Sequence, residues 1–241
     1  MKVRSSLWSS TRRGESHAGN HIPNQDCCLG VHFSWGDLIT LADGVGSCPN
    51  SQIGSHAACM AAAKAVDCSI RHNQNDFSLI LPLMHSFWRI FLGNTAPDSA
   101  RTTCLIAFTW MQNLHIAAIG DGMIAVCGNT ADETIVLEED KEDSFSNVTD
   151  ALDSSFDISC WRTTVMKQEN WRGIILCSDG ISEDFRPETR PLWAWSVLKT
   201  FSSMPAAQRR RQLQKMLKHN APGHFDDKTL IALCWETYEG N

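Results

Sequence analysis

The stretch Leu38-Ile39-Thr40-Leu41-Ala42-Asp43-Gly44-Val45-Gly46 decides how this chain reads. It is a short apolar strand that ends on a carboxylate and runs into a tight turn with two glycines. A buried strand has no packing use for an Asp at its tip. The glycines let the backbone come close to whatever that Asp holds, and they leave the Gly44 carbonyl room to face it. The pattern recurs in Gly173-Ile174-Ile175-Leu176-Cys177-Ser178-Asp179-Gly180. A weaker copy is Leu114-His115-Ile116-Ala117-Ala118-Ile119-Gly120-Asp121-Gly122. Three strands therefore end in Asp-Gly, and side by side they would bring three carboxylates to one edge of a sheet. Unpaired, those carboxylates repel and desolvate at severe cost. A hard divalent cation with oxygen ligands is the simplest compensation.

Outward from this stretch, the pattern predicts an α+β order. Val3 to Trp8 alternates as an edge strand, and Gly14 to Gln25 reads as a polar loop holding His17 and His21. Asp26 precedes a strand over Cys27 to Phe33. A turn at Gly36-Asp37 makes it a hairpin with the Asp43 strand. Gly54 to Ser69 is an alanine-rich helix whose small residues suit close packing. Asp76 caps a second helix through Leu92, with Pro82 as an irregularity inside it. Strands follow at Thr102 to Phe108, Leu114 to Ile119, Met123 to Cys127 and Thr134 to Leu137. Glu138 to Asp157 is acidic and reads as a mobile surface loop. Ile158 to Met166 is another strand, Pro191 to Thr200 and Pro205 to Lys218 are helices, and Thr229 to Trp235 is the last strand. No repeat or linker divides the 241 residues, so one domain is expected.

Composition narrows the function classes. The net charge of −6, with basic residues scattered, argues against nucleic-acid binding. Arg209-Arg210-Arg211 fits a solvated helix face. No apolar run is long enough for a membrane span, and Met1 to Arg13 lacks the apolar core of a secretory signal. The ten cysteines lie in apolar segments without a CxxC pair, as reduced core thiols of a cytoplasmic protein would.

Five short motifs then line up. Asn24-Gln25-Asp26, Ala42-Asp43-Gly44-Val45-Gly46, Gly120-Asp121-Gly122, Ser178-Asp179-Gly180 and Asp226-Asp227-Lys228-Thr229 resemble, in this order, those of the metal-dependent PP2C-type protein Ser/Thr phosphatases. The opening from Ser16-His17 to Gln25-Asp26 is most similar to the compact bacterial branch. The resemblance implies a four-layer αββα sandwich, two antiparallel sheets flanked by helix pairs, with two Mn²⁺ or Mg²⁺ ions at one end. It implies that Asp43 bridges both ions, that the Gly44 carbonyl helps hold one, and that Asp179 and Asp226 bind the other. Asp26 then sits in or beside the shell, and Asp121 matches the place that in some relatives holds a third ion. Gln25 stands where many relatives have Glu, and His21 where many have Arg five residues before the Asp.

The implied activity is hydrolysis of phosphoserine and phosphothreonine in proteins by a water bridging the two ions. Paired cations acidify such a water and neutralise phosphate charge. His17 and His21 are candidates for phosphate contact or leaving-group protonation. The cysteine, five residues, arginine pattern of tyrosine phosphatases is absent. Expected partners are a phosphoprotein substrate, a cognate Ser/Thr kinase or its targets, with the chain a monomer. Two alternatives stay open: a catalytically weak phosphatase-like binding module in a signalling assembly, and a phosphomonoesterase for a small ester.

Overall fold

The structure is a computed structural model, and it describes residues 2–138, 150–218 and 224–238. In chain order the elements are β1 (Lys2–Arg12), α1 (Glu15–Gly19), β2 (Asp26–Phe33), β3 (Gly36–Asp43), α2 (Ser51–Arg71) and α3 (Phe77–Phe91). There follow β4 (Cys104–Trp110), β5 (Asn113–Ile119), β6 (Met123–Cys127), β7 (Ile135–Leu137), β8 (Arg162–Lys167) and β9 (Gly173–Cys177). The chain ends with α4 (Asp179–Ser182), α5 (Arg190–Ser202), α6 (Ala206–Met216) and β10 (Lys228–Tyr238). Among the described residues the strands form two five-stranded sheets, ordered β1-β10-β9-β6-β7 and β2-β3-β4-β5-β8, with every pair antiparallel.

Three apolar layers hold the sandwich together. Between the sheets, Ile39, Leu41, Leu105 and Ile116 meet Ile124, Ile174, Leu176 and Leu233. Outside the second sheet, α2 lays Ala58, Ala61, Ala62 and Ala65 against Leu38, Ala42 and Ile106, while Trp88 of α3 packs behind it. Outside the first sheet, α5 and α6 cover Ile175, Cys177 and Leu230 with Val197, Leu198 and Leu213. The expected four-layer αββα architecture is what forms. The central strands β3, β4, β5, β6 and β9 are apolar on both faces because they are covered on both sides.

Several local expectations change. The β2–β3 turn falls at Ser34-Trp35, two residues before Gly36-Asp37. The polar loop after β1 contains the short helix α1. Ile158–Cys160 is a single 3₁₀ turn, and its strand begins only at Arg162. Helix α2 starts at Ser51, ahead of Gly54. Asp76 does cap α3, its Oδ1 accepting from the Ser78 N–H at 2.8 Å, and the helix runs through Pro82. The expected mobile loop falls mainly on residues 139–149, which lie outside the described residues. No described helix is long and apolar enough to cross a membrane.

Candidate active site

Strand parity delivers the carboxylates. In β3, Ile39 and Leu41 face the other sheet, so Asp43, two residues on, faces the same way. Asp26 is the cross-strand partner of Asp43, and it shares that face. In β9, Ile174 and Leu176 face inward, and Ser178 continues the alternation just before Asp179. Asp43 and Asp179 therefore meet from different sheets, across the end of the sandwich. The expectation that the Asp-Gly tips line one edge of one sheet is corrected. Asp179 also opens helix α4 rather than ending a strand turn.

The close approaches explain the glycines. A Cβ on Gly44 would lie 2.7 Å from the Ser51 Cβ and 2.9 Å from the Gln25 carbonyl oxygen, and one on Gly180 would lie 2.0 Å from the Asp227 carbonyl oxygen. Only glycine lets β3 and α4 close this tightly around the cluster.

The site's electrostatics follow from burial. Asp26 is 4% exposed, and burial first, then the charge of Asp227, pushes its carboxyl up to about 7. Asp43 is raised well above the usual carboxylate range by burial and then by the charges of Asp26 and Asp179. Asp179 rises to about 6 through burial and then the charge of Asp121. Ser178 Oγ donates to Asp26 Oδ2 at 2.9 Å, but Asp26 Oδ1 and Asp179 Oδ1 are buried without a hydrogen-bond partner. Three carboxyls raised by burial and by neighbouring carboxylates, two of them with orphaned oxygens, fit hard divalent cations with oxygen ligands.

The backbone of Asp43 is fixed by two adjacent threonines. Thr102 Oγ1 and the Thr103 N–H both donate to the Asp43 carbonyl at 2.8 Å, and the Asp43 N–H donates to Thr103 Oγ1 at 3.0 Å. Asp226 stands at the rim with a side chain 57% exposed. Asp121 lines a neighbouring cleft of about 610 Å³ between the sheet edges, with Arg162, Glu183 and Arg190. Arg162 Nη2 donates to the Gly120 carbonyl at 2.6 Å.

The two histidines separate. His17, on α1, lies 3.0 Å from Asp227 Oδ2 through Nδ1 and 3.9 Å from Asp226 Oδ1 through Nε2. It shares a cleft of about 350 Å³ with Asp179, Glu183 and Asp226. His21 is exposed, in a left-handed turn with φ 59°. Gln25 is buried, its Oε1 without a partner.

The residue that sequence reasoning missed is Asp227. It is 1% exposed and accepts the Gly14 N–H at 2.7 Å and the Gln25 N–H at 2.6 Å, tying the start of α1 and the approach to Asp26 onto β10. The next residue, Lys228, is buried and ion-paired to Asp184. Counting back by twos from Leu233 and Ile231 puts residue 227 inward and 226 outward, but Leu230, Ala232 and Cys234 are equally apolar, so the sequence carries no sign of which face of β10 is inward.

A family model described as "Protein phosphatase 2C" matches residues 13–218. Among solved structures, the serine/threonine phosphatase Stp1 from Staphylococcus aureus superposes with TM-score 0.66 at 14% identity, over 100% of this chain and 96% of that one. The photosystem II phosphatase PBCP gives TM-score 0.68 at 14% identity, over 96% and 98%. RsbX, solved in complex with magnesium, gives 0.61 at 13% identity, over 98% and 99%. No curated protein matches this chain.

Proposed function

This chain belongs to the protein phosphatase 2C family, the metal-dependent protein serine/threonine phosphatases, and we propose that its chemistry takes place where Asp26, Asp43 and Asp179 converge. In this reading Asp43 would hold two Mn²⁺ or Mg²⁺ ions, the Gly44 carbonyl would help hold one, and Asp179 and Asp226 would hold the other. Asp26 would sit in or beside the shell, and Asp121 would offer a third position. The observation that carries the reading is the buried carboxylate cluster itself. Burial and then the charge of neighbouring carboxylates raise all three carboxyls, and two oxygens have no partner. Bound divalent cations would supply charge neutralisation for a phosphate dianion and an acidified water.

The chain's own groups do the positioning. Asp43 and Asp26 are fixed across from each other by the β2–β3 ladder. Ser178 Oγ–H holds one Asp26 oxygen, which leaves the other turned to the site. Thr102 and Thr103 lock the Asp43 backbone, so the carboxylate need not be ordered when substrate arrives. Of the two histidines expected near the phosphate, His17 remains in this proposal, on its contacts with Asp226 and Asp227. His21 is left out, on its exposure.

We place the substrate among phosphoserine and phosphothreonine proteins, with a cognate kinase or its targets as the partner and the whole chain acting as a monomeric single domain. All ten cysteines are free, which suits a reducing cytoplasm. The test is hydrolysis of p-nitrophenyl phosphate with Mn²⁺ and with EDTA, followed by a panel of phosphoproteins. Turnover should require the cation and extend to phosphoserine proteins. Full turnover in chelator would overturn the mechanism.

A further inference from the structure

We propose that His17 is a nitrogen ligand of the metal centre, held in place by Asp227 and acting beside Asp226; this rests on the phosphatase reading above. The argument begins with Asp227. Both of its oxygens accept backbone N–H groups, so it is fixed in place and its oxygens are engaged. Helix α1 is clamped to the same segment: the Ser16 N–H donates to the Phe225 carbonyl at 3.2 Å, and Ser16 Oγ donates to it at 2.8 Å. The His17 imidazole is therefore carried on a short helix pinned at its start.

The ring lies between two carboxylates. Its Nδ1 is sealed from solvent 3.0 Å from Asp227 Oδ2, a charge contact without linear hydrogen-bond geometry. Its Nε2 lies 3.9 Å from Asp226 Oδ1, at the rim of the site. A divalent cation seated between the imidazole and that carboxylate would take a donor from each. Carboxylate, imidazole, then metal is the arrangement that orients ligating histidines in many metal sites. One ligand atom from each of His17, Asp226 and Asp227 falls within 4.8 Å of the others. Asp227, already committed to the backbone, orients the ring, while His17 and Asp226 supply the donors. An imidazole among oxygen donors shifts such a site from Mg²⁺ toward Mn²⁺ and later metals.

The test is pulsed electron-paramagnetic resonance of the full chain loaded with Mn²⁺, at natural abundance and with ¹⁵N-labelled histidine. Nitrogen modulation that changes with the histidine label is expected. It should vanish in His17→Asn and persist in His224→Asn, the other histidine lining the cleft. Calorimetry should show one Mn²⁺ site weakened roughly 10- to 100-fold in folded His17→Asn. Bound Mn²⁺ without histidine coupling, or coupling that survives His17→Asn, overturns the assignment. Should His17→Asn fail to fold, the labelled wild-type spectrum decides together with that of His224→Asn, where loss of the coupling overturns the assignment. Hydrolysis of p-nitrophenyl phosphate by the same samples separates the two claims. Turnover with bound Mn²⁺ but no histidine coupling sinks only the ligand role. Absence of both Mn²⁺ binding and turnover sinks the phosphatase reading with it.

Discussion

Asp43 stands directly across from Asp26 in the β2–β3 ladder, where like charges are destabilising unless something positive joins them. Replacing it with Asn keeps the shape and removes the charge. We expect Asp43→Asn to fold, by circular dichroism, and to lose at least 10²-fold in kcat on p-nitrophenyl phosphate with Mn²⁺. Retention of more than about a tenth of the activity, a barrier change under ~1.4 kcal/mol, would contradict its role. His115 shows a burial cost of another kind. Its ring is 1% exposed, stacked 4.7 Å from Phe108, with neither nitrogen hydrogen-bonded. Burial lowers its pKa from 6.5 to about 4. The unfolded chain therefore takes up a proton that the folded protein refuses, and the penalty appears as pH falls from 6.5 toward 4. The urea midpoint of wild type should drop relative to His115→Phe across that window. A difference that is flat with pH would show that the imidazole is not held neutral.

At the scale of elements, contact distance decides what α2 can tolerate. A Cβ on Gly54 would sit 1.8 Å from the Ala100 carbonyl oxygen, a backbone atom with no rotamer to yield. The Gly54 carbonyl also accepts Trp88 Nε1–H at 3.0 Å, which ties α2 to α3. Gly54→Ala should therefore destabilise, by about 1–3 kcal/mol, despite alanine's better helix propensity. Gly19, with nothing within 4 Å of its Cβ position, is the control. Equal urea midpoints for the two alanine variants would show that the loop at Ala100 moves aside freely.

For the whole molecule, the carboxylate cluster couples stability to pH and to metal. Asp26 and Asp179 have folded pKa values of about 7 and about 6, against 3.8 for a free aspartate side chain. Without metal, their stabilising contribution is complete below 3.8 and is lost as pH rises through 6 and 7. Mn²⁺ competes with those protons, so its stabilisation should grow over the same interval. Melting temperatures measured from pH 5 to 8 should show the smallest Mn²⁺ shift at pH 5 and the largest at pH 8. The reverse order would mean that the cation binds away from these carboxylates.

An apolar strand ending in Asp-Gly is a local pattern with few other uses, and it marked Asp43 and Asp179 as ligand candidates. Asp26 was legible from the hairpin that sets it beside Asp43, the cap at Asp76 from the helix it starts, and the four layers from the family resemblance. Tertiary structure alone decided which sheet each carboxylate comes from. It also chose between two histidines four residues apart, since α1 turns His17 toward Asp226 and leaves His21 outside. It made Asp227, rather than its neighbour Asp226, the buried clamp. The reason is physical. Strands buried on both faces are apolar at every position, so the alternation that would mark inward from outward has no contrast in the sequence. Only the packing of one sheet on the other supplies it.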